Sequence, residues 1–156
     1  MREHLNRQSF GTIALVGRIL LAIIFITSGL AKIPGWSENV QYMQSRGIPA
    51  VPVFLFPAIF IEVIGGFSVL LGFKARLGAA ALAIFLIPTS LIFHNFWALE
   101  GIEQQMQLVN FLKNLAIMGG LLQIIANGAG GASLDHWMQR RSTKGQRDVP
   151  PIREVS

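Results

Sequence analysis

At 156 residues, with 52% apolar and 13% charged side chains, the chain has the length for one compact bundle and an apolar content that concentrates in four long runs. Its net charge of +5 comes from basic residues in the two tails and one short loop, with no basic face interleaved by aromatics, which argues against a nucleic-acid partner. The absence of cysteine excludes a disulfide framework, thiolate-bound zinc, a cysteine-ligated iron-sulfur cluster and a Cys-x-x-Cys relay within this chain.

The amino tail, residues 1–11, carries Arg2 and Arg7 ahead of an apolar run from about Thr12 to Ile33. That run is too long for the hydrophobic part of a signal peptide and contains Arg18, so it reads as a first membrane helix, closed by Pro34-Gly35. A second span is expected from Val51 to Phe73, with Pro52 in its first turn and Pro57 deep enough to bend it. A third runs from Leu77 to Phe96 with Pro88 as a kink, and a fourth from Gln107 to Ala126, ended by Asn127-Gly128. Each run reaches the roughly 20 residues that cross a hydrocarbon core about 30 Å thick. The fold expected is therefore all-α, an integral membrane four-helix bundle over residues 12–128. Residues 129–156 form a basic tail. There Ser133 caps a short amphipathic segment in which Trp137 and Met138 touch the bilayer and Arg140 and Arg141 meet headgroups, with disorder beyond Ser142.

Arg2, Arg7, Lys74, Arg76, Arg140, Arg141, Lys144, Arg147 and Arg153 fall on one side of such a bundle, against Lys32 and Arg46 on the other. The positive-inside rule then puts both termini in the cytoplasm and Trp36 and Trp97 at the outer interface.

Ionisable groups inside apolar runs are expensive and usually face the bundle interior. Arg18 lies about 9 Å along the axis from Thr12, where an internal partner and snorkelling are both open. Lys32, near the end of its span, suits snorkelling better. Glu62 sits at mid-span, about 17 Å from either end, too deep for its short stem to reach the interface. Ala58, Gly65, Gly66 and Val69 share its neighbourhood, so this face should pack against another helix. Glu62 is then either a protonated structural hydrogen-bonding group or an ionised group facing a cavity. Lys113 lies roughly 8 Å above it in the outer half of the fourth span, near enough for an ion pair, with Asn110 and Asn114 in the same sector. His94 shares a face of the third span with Ser90, and a lone buried histidine is more often structural than a ligand. Lys32, Glu62, His94, Lys113 and Asn114 converge toward the outer side, as a polar pocket for an anion or for a carbonyl or hydroxyl head group such as a quinone's. Only one histidine lies inside, which argues against intrinsic haem, and no metal-ligand set is visible.

Gly17-Arg18-Ile19-Leu20-Leu21, Ser28-Gly29-Leu30-Ala31-Lys32, Arg46-Gly47-Ile48-Pro49, Glu62-Val63-Ile64-Gly65-Gly66, Leu71-Gly72-Phe73-Lys74-Ala75-Arg76, Phe111-Leu112-Lys113-Asn114-Leu115-Ala116 and Ser133-Leu134-Asp135 follow in order. This ordered set resembles the DoxX family of small bacterial four-helix membrane proteins, from about Gly17 to Asp135. The resemblance implies a bacterial inner-membrane location and places Arg18, Lys32, Glu62, Arg76, His94, Lys113 and Asn114 at recurrent polar positions, Arg18 and Arg76 as structural charges. It also implies a redox-associated membrane subunit, with quinone as the cofactor class and redox-complex subunits or a second copy as partners. No self-contained catalytic constellation is visible. A small proton-linked transporter and a noncatalytic assembly or anchoring subunit are the alternatives.

Overall fold

The computed structural model describes residues 2–147, and the side chains of residues 11–141 within them. The chain forms α1 (Arg2–Ala31), α2 (Trp36–Ser45), α3 (Val51–Leu71), α4 (Ala75–Phe93), a single 3₁₀ turn (Phe96–Ala98), α5 (Gly101–Asn127) and α6 (Leu134–Arg147). Four stretches are long and apolar enough to span a bilayer: Gly11–Ala31, Val51–Leu71, Ala75–Ala98 and Gly101–Asn127. Among the described residues there is no strand, and the chain is an all-α, multi-pass integral membrane protein.

Several boundaries differ from the sequence expectation, each for a local reason. The amino tail continues as helix from Arg2, because nothing between Arg2 and Thr12 interrupts the backbone hydrogen-bond ladder. α5 starts at Gly101, six residues before the expected span, with Glu103 in its first turn where a carboxylate complements the helix dipole. At 27 residues, α5 is about 40 Å long, so its polar first turns stand outside a 30 Å hydrocarbon layer. Between the first two spans, where the sequence pattern names no element, the chain forms α2. α6 continues past Ser142 to Arg147, correcting the expected disorder there; Pro150-Pro151 and Arg153 lie outside the described residues.

α1 packs on α3, α3 on α4 and α4 on α5, while α1 and α5 meet through Leu21 and Gly120. Small residues set these spacings. A Cβ on Gly65 would stand 2.8 Å from Leu82 Cγ, and one on Gly66 would stand 2.7 Å from Ile26 Cγ1, so α4 and α1 both approach α3 through positions where only hydrogen fits. The main core lies here, built from Ala22, Phe25, Val69, Ala79, Leu82, Leu86, Leu121 and Ile124. α3 and α4 stay continuous through Pro57 and Pro88, and Thr89 Oγ1 donates to Phe85 O (2.8 Å) in the turn that Pro88 disrupts. α3 ends at Gly72, whose φ of +65° a side chain would strain.

The two ends of the bundle are built differently. At one end, α2 rests on α3 through Met43, Val51 and Leu55, with Trp36, Ile48 and Phe93 around them. At the other, the turn from α3 to α4 receives α6: Asp135 Oδ1 and Oδ2 accept from the backbone N–H groups of Lys74 (2.8 Å) and Ala75 (3.1 Å), and Asp135 N–H donates to Gly72 O (2.9 Å). Asp135 thus caps α4 from another part of the chain.

Candidate functional site

Glu62 is 5% exposed and turns toward α1 rather than toward lipid. Its carboxylate accepts from Lys32 Nζ at both oxygens, 3.0 Å at Oε1 and 2.7 Å at Oε2, and from Ser28 Oγ at 3.1 Å. Lys32 Nζ also donates to Ser28 Oγ at 2.8 Å, closing a three-residue network across the α1–α3 interface. Gly29 permits this closeness, since a Cβ there would meet Glu62 Cβ at 3.0 Å and Val63 Cγ2 at 2.8 Å.

Two expectations are corrected by this geometry. Lys32 does not snorkel; its side chain is 21% exposed and reaches inward to Glu62. Lys113 does not pair with Glu62, because α5 packs on α4 whereas α1 lies directly against α3. Lys113 Nζ instead donates to Asn110 Oδ1 on its own helix at 3.0 Å.

A cavity of about 840 Å³ opens beside the network, walled by α1, α2, α3, α4 and α5. All five residues expected to converge, Lys32, Glu62, His94, Lys113 and Asn114, line it. Its remaining wall is mostly apolar, and includes Ile24, Val53, Phe54 and Ile92, which are also exposed on the outside of the spans. The cavity therefore reaches the lipid-facing surface of the bundle. Asn114, 7% exposed, donates from Nδ2 to Ser90 Oγ at 3.1 Å, tying α5 to α4 along one wall. His94 ends α4, and its Nδ1 lies 2.8 Å from Gln107 Oε1, which fixes the imidazole plane.

The sequence reading missed the roof. α2 contributes Asn39, Tyr42 and Met43, and the turn after it contributes Arg46. Arg46 Nη1 donates to Asn95 Oδ1 at 3.2 Å, and Tyr42 stacks on Phe93 at 5.5 Å between centroids, so the roof is fastened to the end of α4. Trp36, Val40 and Met43 at intervals of four and three were the signal for this helix, obscured by Ser37, Glu38, Asn39 and Gln41. Ser28 was visible one turn before Lys32, a spacing that puts both on one face.

Arg18 and Arg76 lie toward the α6 end, away from the cavity. Arg18 is 2% exposed; its Nη2 donates to Ala132 O, while Nε and Nη1 have no hydrogen-bond partner. Of its two open readings, the internal partner holds, and that partner is a backbone carbonyl. Arg76 Nη2 donates to Ala126 O at 3.3 Å, placing a cation at the carboxy terminus of α5, where the helix dipole favours it. Among the described residues no group of three or more His, Asp or Glu side chains could hold a metal ion.

The DoxX family model matches residues 13–95. Inner membrane protein YqjF of Escherichia coli is 39% identical over 128 residues, 81% of this chain and 92% of that protein. The chain belongs to the DoxX family. Inner membrane protein YphA of the same organism is 34% identical over 78% of this chain and 86% of that protein. The SURF4 family model also matches, over residues 56–140. A Surfeit locus protein 4 homolog of Schizosaccharomyces pombe is 30% identical over 85% of this chain, which spans 39% of that longer protein. No solved structure matches.

Proposed function

We propose that this DoxX-family protein binds a lipid-borne small molecule with a quinone-like head in the cavity beneath α2, as a membrane subunit of a redox complex in the bacterial inner membrane. The observation that carries the reading is the cavity itself. Its volume of about 840 Å³ falls within the range of small-molecule sites, and its wall is mostly apolar with a few converging polar groups. It also reaches the lipid-facing surface, the route a hydrophobic ligand would take from the bilayer.

Within it, the Lys32–Glu62 pair is already satisfied internally and supplies a fixed polar wall rather than a loose charge. The donors suited to a carbonyl oxygen are the N–H groups Lys113 keeps beyond Asn110, the second ring nitrogen of His94, and the Asn114 amide. Those residues would orient the head, with Phe54, Ile61 and Ile92 against its apolar body. A bound quinone would supply two-electron, two-proton exchange. With both termini cytoplasmic, as the distribution of Lys and Arg favours, the cavity belongs to the outer leaflet.

Purification in native lipid followed by extraction and chromatography tests this. Quinone should co-purify with the wild-type chain, and Asn114→Leu or Lys113→Met should lower its occupancy with helicity unchanged. Normal quinone content in both variants refutes the assignment of the head group. A second reading is an assembly or anchoring subunit, since the SURF4 match shows a likeness that extends beyond the bacterial inner membrane proteins. A stoichiometric protein partner with an empty lipid extract supports that one instead.

A further inference from the structure

The cavity leaves α6 unused, yet the chain fixes this helix with unusual care. Asp135 accepts from Lys74 and Ala75 at the start of α4 and donates from its backbone to Gly72 at the end of α3. Arg18 of α1 donates to Ala132, two residues before α6 begins. Ser133 caps the helix, its Oγ accepting from His136 N–H at 3.2 Å. α6 is thereby joined to the end of α3, to the start of α4 and, through Ala132, to Arg18 within α1.

Its exposed face carries two chemistries. Leu134, Trp137 and Met138 are 41%, 50% and 44% exposed, and with Arg141 they occupy positions i, i+3, i+4 and i+7 of one helical face. Arg141 lies over the Trp137 ring at 3.8 Å from its centroid, so an apolar surface and a cation are presented together. Arg140 follows on the flank, its Nε donating to His136 Nε2 at 2.9 Å. Lys74 sits over Phe73 at 5.8 Å in the adjoining turn, repeating the pairing of cation with aromatic. The one acid of α6, Asp135, turns to the backbone N–H groups of Lys74 and Ala75.

We propose that α6 is a binding element for anionic phospholipid, with Trp137, Leu134 and Met138 seated at the acyl boundary and Arg140 and Arg141 on lipid phosphates. Charge complementarity selects the occupant: a face of aromatic and aliphatic groups bordered by arginines suits a negatively charged bilayer surface. Because α6 is clamped to α1, α3 and α4, the local lipid composition then acts directly on the ends of the bundle.

The test uses the full-length chain with Trp36→Phe and Trp97→Phe, leaving Trp137 as the remaining tryptophan of three. It is reconstituted into vesicles of phosphatidylcholine and phosphatidylglycerol in which one lipid or the other carries brominated chains. Each surface arginine favours anionic lipid by about fivefold, so two bound the enrichment near 25-fold, and at least about twofold stronger quenching by brominated phosphatidylglycerol is expected. Arg140→Gln with Arg141→Gln should bring the two quenchers to parity while circular dichroism stays unchanged, whereas Arg76→Gln keeps the preference. Equal quenching in the parent overturns the proposal. Quenching by neither lipid does so too, since α6 would then face water or a protein, a second copy included. If the double tryptophan replacement fails to fold, the difference in quenching between the wild type and Trp137→Phe carries the same comparison.

Discussion

Replacing Lys32 with methionine removes the cation that both Glu62 oxygens touch and leaves a carboxylate, 6% exposed, with only Ser28 Oγ in reach. Stranding one member of a buried pair typically costs about 3–5 kcal/mol, and the closeness of the cavity argues for the lower end, about 3 kcal/mol. The opposite change is milder. In Glu62→Gln, Lys32 is 21% exposed on a flexible stem and can turn outward, and the amide oxygen still accepts a hydrogen bond, so about 1 kcal/mol is expected. The double variant Lys32→Met with Glu62→Gln leaves no stranded charge and should come within about 1 kcal/mol of the wild type. The coupling between the two positions is therefore at least about 3 kcal/mol, well beyond additivity error. Unfolding by sodium dodecyl sulfate in mixed micelles, followed by circular dichroism, gives the four free energies. Equal losses for the single variants, adding in the double, would falsify the buried pair as an interaction.

Asp135→Ala strips the cap from the Lys74 and Ala75 N–H groups; a loss of about 1–2 kcal/mol is expected, with faster proteolysis in the segment joining α5 and α6, read by limited digestion and mass spectrometry. Gly65→Val drives a side chain into Leu82 and should lower stability by about 1–3 kcal/mol, while Gly119→Ala, where an added Cβ meets nothing within 4 Å, should leave it unchanged, both by the same titration. The chain has no cysteine, so single replacements report sidedness directly. Ser45→Cys should react with an impermeant maleimide on intact cells, whereas Gln139→Cys should react only after permeabilisation; the reverse pattern inverts the proposed orientation.

The four spans were legible because crossing a bilayer demands long apolar runs, and nothing in the surroundings competes with that signal. Glu62 was legible as inward-facing for the same reason, reinforced by Gly65 and Gly66 beside it. Its partner was not. Helical rise counted from apparent span ends favoured Lys113 and gave Lys32 to the interface; it fixes neither the azimuth nor the axial offset between helices, and only the packing of α1 on α3 brings Lys32 to Glu62. α2 escaped detection because an amphipathic helix of ten residues has an unremarkable average hydropathy, and its apolar side is recognisable only once Leu55 and Val51 lie beneath it. Asp135 looked like one acid in a basic tail; its role as a cap on α4 spans 61 residues of sequence, beyond the reach of any local pattern.

Composition and apolar periodicity by themselves determined that this is an all-α membrane protein with four spans, and the ordered short motifs determined its family. Tertiary structure decided which charges meet, where the cavity opens and what α6 is fastened to. The division has a physical cause: transfer of a helix into hydrocarbon is a sum over its own residues, whereas an ion pair, a cavity or a cap in trans depends on which surfaces of different helices face each other.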